Sequence, residues 1–153
     1  MALFRRAQPA PVREVELERP TFTALGDAER DWMAGHLEVV DEFRIDLDRA
    51  DDVARLYDYF LGVRADDEFV NRIHPNLCIN ILGTVFGTHL TRRTTLAWTI
   101  ATVSSGSELV VYDPRGDCLV YPANVIATHW ARAEPGEFIR VMSADITRRM
   151  SER

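Results

Sequence analysis

The side chains of this sequence best suited to chemistry are four histidines, two cysteines and a pair of aspartates around one turn. His36, His74, His89 and His129 fall on four different segments, and no two share the H-x3-H or H-E-x-x-H spacing that sets two imidazoles on one helical face. Each is expected to cap or to sit at the surface, and no metal site is expected. Cys78 and Cys118 are too few for a disulfide framework or a cysteine zinc site, and no neighbouring base or cation would activate either thiol. Asp113 and Asp117 flank Asp-Pro-Arg-Gly-Asp, which lacks the ligand ladder and closing Glu of a calcium loop and reads as a hairpin turn. Gly83 and Gly87 form G-x-x-x-G, without the preceding strand turn or the Lys-Ser/Thr ending of a phosphate loop. They are expected to let a helix pack closely, with Trp98 as the partner. No nucleophile–base pair is recognisable, so no catalytic residue and no cofactor is expected. A site scattered over a central helix and a small sheet would draw on Asn76, Asn80, His89, Glu108, Tyr112 and His129.

Those residues need elements to hold them. The chain has 153 residues, 46% of them hydrophobic and 27% charged, enough for one domain with a real core. Residues 1–20, with Pro9, Pro11 and Pro20, read as a flexible arm, 12–18 being extended against the body, and 21–153 as a single domain. A first helix starts near Asp27 as N-cap, with Trp32, Met33, His36, Val40 and Phe43 as its apolar face. A second runs from about Arg49 to Leu61 and ends at Gly62, with Val53, Leu56, Tyr57, Phe60 and Leu61 inward. A third begins at His74-Pro75, with proline at the first helical position. It is apolar nearly all round from Leu77 to Leu90, the mark of a buried helix.

The period then shortens to two. Leu96–Val103, Glu108–Tyr112 and Cys118–Tyr121 predict a three-stranded antiparallel meander, with turns at 104–107 and 113–117. Asn124–Trp130 fits a short helix or a further strand. Pro135-Gly136 opens a last helix with Phe138, Ile139, Met142, Ile146 and Met150 on one face. The class expected is α+β: N-terminal helices, a central buried helix, a three-stranded meander and a C-terminal helix.

All 18 basic residues are arginine. Residues 14–68 hold 17 acidic and 6 basic side chains, against 7 and 9 in residues 69–153. The net charge of −6 argues against nucleic acid as a partner. The dense carboxylates are expected to coat the solvent faces of the first two helices, with Asp31, Glu38, Asp41, Glu42, Asp52 and Asp58 in water. No apolar run is long enough to span a membrane, the N-terminus lacks a secretory apolar region, and cysteine usage fits a reducing, cytoplasmic setting.

The segment Leu82–His129, reading LGTVFGTHL, then LAW, a short hairpin and VYPANVIATHW, resembles the bacterial Domain of Unknown Function 3806 family over roughly residues 70–150. The resemblance implies a helix carrying G-x-x-x-G, a strand opening with Trp, a meander and a proline-containing segment before a final helix. It implies no catalytic residues. The function expected is a non-enzymatic protein-binding or self-association module, whose partner is a protein or a second copy. The alternative is a small enzyme or ligand-binding domain using the scattered polar residues.

Overall fold

The computed structural model describes residues 18–64 and 74–152. In chain order the elements are β1 (Thr21–Thr23), α1 (Asp27–Glu42), α2 (Ala50–Val63), α3 (Pro75–Arg93), β2 (Ala97–Val103), β3 (Gly106–Asp113), β4 (Cys118–Val120), α4 (Pro122–Ala131) and α5 (Glu137–Ser151). The fold is α+β, with five helices and a four-stranded antiparallel sheet among the described residues.

Helix α3 is the hub. It packs against α1, α2, α4, α5 and strands β2 and β3. Its apolar residues run round the whole cylinder, and Cys78, Leu82, Val85, Phe86 and Leu90 are all buried. Each large apolar side chain so enclosed contributes roughly 1.5–3 kcal/mol over leaving it in water. The start is as expected: His74 is the N-cap, its Nδ1 accepting the Asn76 N–H at 3.1 Å, and Pro75 is the first helical residue.

The other helices shift slightly from their expected bounds. The N-cap of α1 is Gly26, one residue before the expected Asp27, because Glu29 reaches back to accept the Gly26 N–H at 3.0 Å. Its inner face is Met33, His36 and Val39, which leaves Trp32 at 44% exposure and outside the core. Gly62 does not end α2. It lies within a helix that continues to Val63, and the Arg64 guanidinium fastens that end by donating to the Trp130 carbonyl at 2.7 Å. The inward residues of α2 are Val53, Leu56, Tyr57 and Phe60, with Leu61 half-buried. Tyr57 donates to the Glu134 carbonyl at 2.7 Å, and burial pushes its phenol up to about 12. Asp31, Glu38, Asp41, Glu42 and Asp58 are exposed as expected; Asp52 is half-buried and accepts the Asp46 N–H at 2.8 Å.

The meander forms with β2 and β3 joined through Ser104 and Ser105, and Gly106 takes a φ of 148° that a side chain would resist. The structure adds a fourth strand: β1 pairs along β2 with Thr21 opposite Thr102. Three residues after Pro20 carry too little pattern to announce a strand. Residues 124–130 fall in helix α4, with Pro122 as its first residue.

Of the arm expected over 1–20, residues 1–17 lie outside the described residues, as do 65–73 between α2 and α3. Residues 18–20 bond to the sheet: Glu18 accepts the Ser104 N–H at 2.9 Å and Arg19 pairs with Asp117 at 3.1 Å. Among the described residues no helix is long and apolar enough to cross a membrane.

Candidate functional site

His89 is one of the innermost polar side chains, 1% exposed near the C-terminal end of α3. Its Nδ1 lies 2.6 Å from the Leu47 carbonyl oxygen and its Nε2 2.6 Å from the Ser143 hydroxyl. A carbonyl can only accept, so Nδ1 carries the proton and donates it. Burial lowers the imidazole's pKa, and the nearby Arg93 charge adds to this; the Leu47 bond opposes them. A neutral ring with its proton on Nδ1 leaves a lone pair on Nε2. The Ser143 hydroxyl therefore donates to His89.

This pair forms part of the wall of a cavity of about 450 Å³ between α3, α5 and the Leu47–Arg49 connection. Arg93, Arg140, Thr147 and Arg148 also face it. Among the described residues Asp48 is the one carboxylate in the wall, and it is taken up by Arg92, which holds it through two bonds of 2.7 and 3.0 Å. That ion pair lowers the Asp48 pKa.

Ser143 is the residue that sequence reasoning missed. A signal for it exists: it lies four residues after Ile139 and three before Ile146, so the apolar stripe of α5 carries one hydroxyl where another aliphatic side chain would fit. The carbonyl of Leu47 has no such signal, because a backbone acceptor looks alike at every residue.

The other expected polar residues make their bonds elsewhere. Asn76 is exposed at the start of α3, and the half-buried Asn80 accepts the Thr84 hydroxyl on its backbone carbonyl at 2.8 Å. Glu108 accepts from the Asn124 amide at 3.2 Å. The Tyr112 ring stacks on Phe22 at 4.0 Å. His129 stacks on Phe138 at 3.7 Å and bonds Glu134 at 2.5 Å through Nδ1, which lowers the Glu134 pKa. Of the six, His89 alone lines the cavity just described. Among the described residues, no three or more His, Cys, Asp or Glu side chains gather as metal ligands.

The packing glycines also divide their work. Gly87 lies under Trp98 and Pro122, whereas Gly83 meets the backbone of Ala123 on α4 rather than the indole. Trp98 is half-buried, its Nε1 donating to the Thr88 hydroxyl at 3.3 Å.

A second concave region, of about 310 Å³, lies between α1 and α2. His36, Val39, Phe43 and Tyr59 line it, with Glu38 and Glu42. Tyr59 is 50% exposed, and Trp32 stands edge-on over His36 at 3.9 Å. His36 Nδ1 is buried and makes no hydrogen bond of good geometry; burial lowers the imidazole's pKa, and its interaction with the Trp32 backbone opposes this.

The model of the family described as Domain of unknown function (DUF3806) matches residues 65–142, just over half of the chain. The chain belongs to the DUF3806 family. No curated protein and no solved structure matches it. The DUF3806 span covers α3, the meander, α4 and the opening turns of α5. His89 and Arg93 lie inside it; Leu47, Ser143 and the lining of the α1–α2 groove other than Ile81 lie outside.

Proposed function

We propose that this DUF3806 protein is a cytoplasmic bacterial protein-binding module that seats a cationic segment of another protein in the α1–α2 groove. The observation that carries this reading is the lining of the groove, where the half-exposed Tyr59 ring lies beside the carboxylates of Glu38 and Glu42. Glu38 and Glu42 supply the opposing charge, and the exposed rings of Trp32 and Tyr59 supply apolar area and cation–π faces. The acidic first half of the chain is consistent with the same partner chemistry.

Photo-crosslinking in the host tests this. A benzoylphenylalanine placed at Tyr59 is expected to capture one defined protein, and joint Glu38→Arg and Glu42→Arg substitution is expected to abolish the adduct. The same probe at Val141, exposed on α5, should capture none of it. Equal capture at both positions, no capture, or a cross-link only to residues 65–73 of the same chain would overturn the reading.

A second reading, a domain for a small ligand, is favoured by the cavity at His89.

A further inference from the structure

We propose that the cavity between α3 and α5 binds a small phosphate monoester, held by Arg93 and Thr147 with Arg140 and Arg148 at its sides. This deepens the small-ligand reading and is independent of the α1–α2 groove.

The donor inventory carries the inference. Arg93 faces the cavity and makes no ion pair or hydrogen bond among the described residues, so its guanidinium keeps all five N–H groups for a ligand. Thr147 faces the same space, and its hydroxyl has no partner among the described residues. The arginines beside them are held in place. Arg140 bonds Asp51 at 2.8 Å and Glu137 at 3.1 Å, and Arg148 bonds Asp145 at 2.5 Å. Each keeps N–H groups beyond those bonds. Ser143 has given its proton to His89 and so offers no donor while His89 is neutral. Its role here is to hold the floor of the cavity in place.

The geometry favours a phosphate group over a lone carboxylate. On the face of α5 that lines the cavity, Thr147 keeps its hydroxyl while Ser143 and Ser151 give theirs to His89 and the Arg148 carbonyl, and Arg93 on α3 is also in the wall. Donors thus come from two elements, which suits the several acceptor oxygens of a tetrahedral dianion. Asp48, the only lining carboxylate among the described residues, is neutralised by Arg92. A volume of about 450 Å³ leaves room for an organic part beside the phosphate.

The test is an amide NMR titration of the full chain with glycerol phosphate, beside acetate at matched ionic strength. Saturable shifts are expected at Arg93, Ser143 and Thr147 with glycerol phosphate and not with acetate. Arg93→Gln should weaken binding about tenfold, the scale of one charge-assisted contact, and Thr147→Val several-fold. Arg149→Gln, on a side chain paired with Asp145 outside the cavity wall, should leave it within about twofold. Thermal melting of each variant confirms folding; Arg93 and Arg149 are exposed, so neither change threatens the core. Absence of saturation at tens of millimolar would overturn the proposal. So would equal weakening by the Arg93 and Arg149 changes, or acetate binding as tightly as the ester.

Discussion

The indole of Trp98 covers Gly87 so closely that a Cβ at position 87 would stand 2.3 Å from its Cη2 and Cζ2 atoms. The same Cβ would come within 2.9 Å of Pro122, so strand β2 and helix α4 both rest on one bare turn of α3.

Stability should follow from that contact. Gly87→Ala is expected to destabilise by about 1–3 kcal/mol through overpacking. Gly83→Ala should do likewise, because its Cβ would meet the Ala123 backbone at 2.8 Å, where no side chain can turn aside. Gly62 has open space around it in α2, so Gly62→Ala should stabilise by up to about 1 kcal/mol through helix propensity. Melting temperatures of the three variants check this, and the same sign at all three positions would refute it.

The buried imidazole makes stability depend on pH. The folded state holds the His89 pKa below its ordinary 6.5, chiefly by burial. Unfolded chains therefore take up the proton first, so this contribution is complete above pH 6.5 and is lost as pH falls below it toward the folded value. His36, lowered by burial as well, acts with the same sign. Chemical denaturation should show lower stability at pH 5.5 than at pH 7.5. Ser143→Ala should cost about 1–3 kcal/mol at neutral pH by leaving Nε2 without its donor. An NMR titration finding the folded His89 protonated above pH 6.5 would contradict the argument.

Asp113 is set at the sheet edge by two donors. The Thr95 hydroxyl bonds its Oδ2 at 2.5 Å and the Arg115 N–H its Oδ1 at 2.9 Å, and these bonds hold the carboxyl below its usual value of 3.8. The sign is the same as for His89, since the unfolded chain again takes up the proton first. This contribution is present above the unfolded value near 3.8 and disappears as pH falls through the folded one. Thr95→Val should raise the Asp113 pKa, read by carbon-detected NMR, and an unchanged value would show that Thr95 is not the main cause.

Random duplex DNA should not bind at physiological salt. Arg148 and Arg149 both pair with Asp145, and Arg92 with Asp48, so the two arginine pairs present less free charge than the sequence suggests. The carboxylates of α1 add repulsion, though screening confines it to about 8 Å. A gel-shift assay is expected to show no complex, and salt-sensitive micromolar binding would be the contrary result.

Periodicity and local capping made much of the fold legible. Proline after His74 marked the start of α3, its all-round apolar character marked it as the centre, and the change of period at Leu96 marked the meander. These are short-range properties, encoded within a few residues of where they act. The family resemblance rested on the same stretch, and the DUF3806 match spans it. Errors of one or two residues came where a neighbour intervened. Glu29 moved the cap of α1 to Gly26, and Arg64, held by Trp130, belongs to a helix that ran on past Gly62.

Contacts between distant segments were a different matter. Leu47, His89 and Ser143 are separated by 42 and 54 residues and meet only because α3 packs against α5 and the α1–α2 connection. Sequence alone could nominate His89 as polar and central, and it could register Ser143 as a hydroxyl in an apolar stripe. It could not say that one would donate to the other. Nor could it show that Arg93 would be left unpaired while Arg92 found Asp48, since adjacent arginines have the same local chemistry and differ only in the direction the helix end points them. The sequence by itself determined the elements, their order and the α+β class through local patterning. Which side chains share a cavity was decided by tertiary packing, because the hydrophobic burial that brings helices together is non-directional and sets polar partners only through the exact fit of the assembled core.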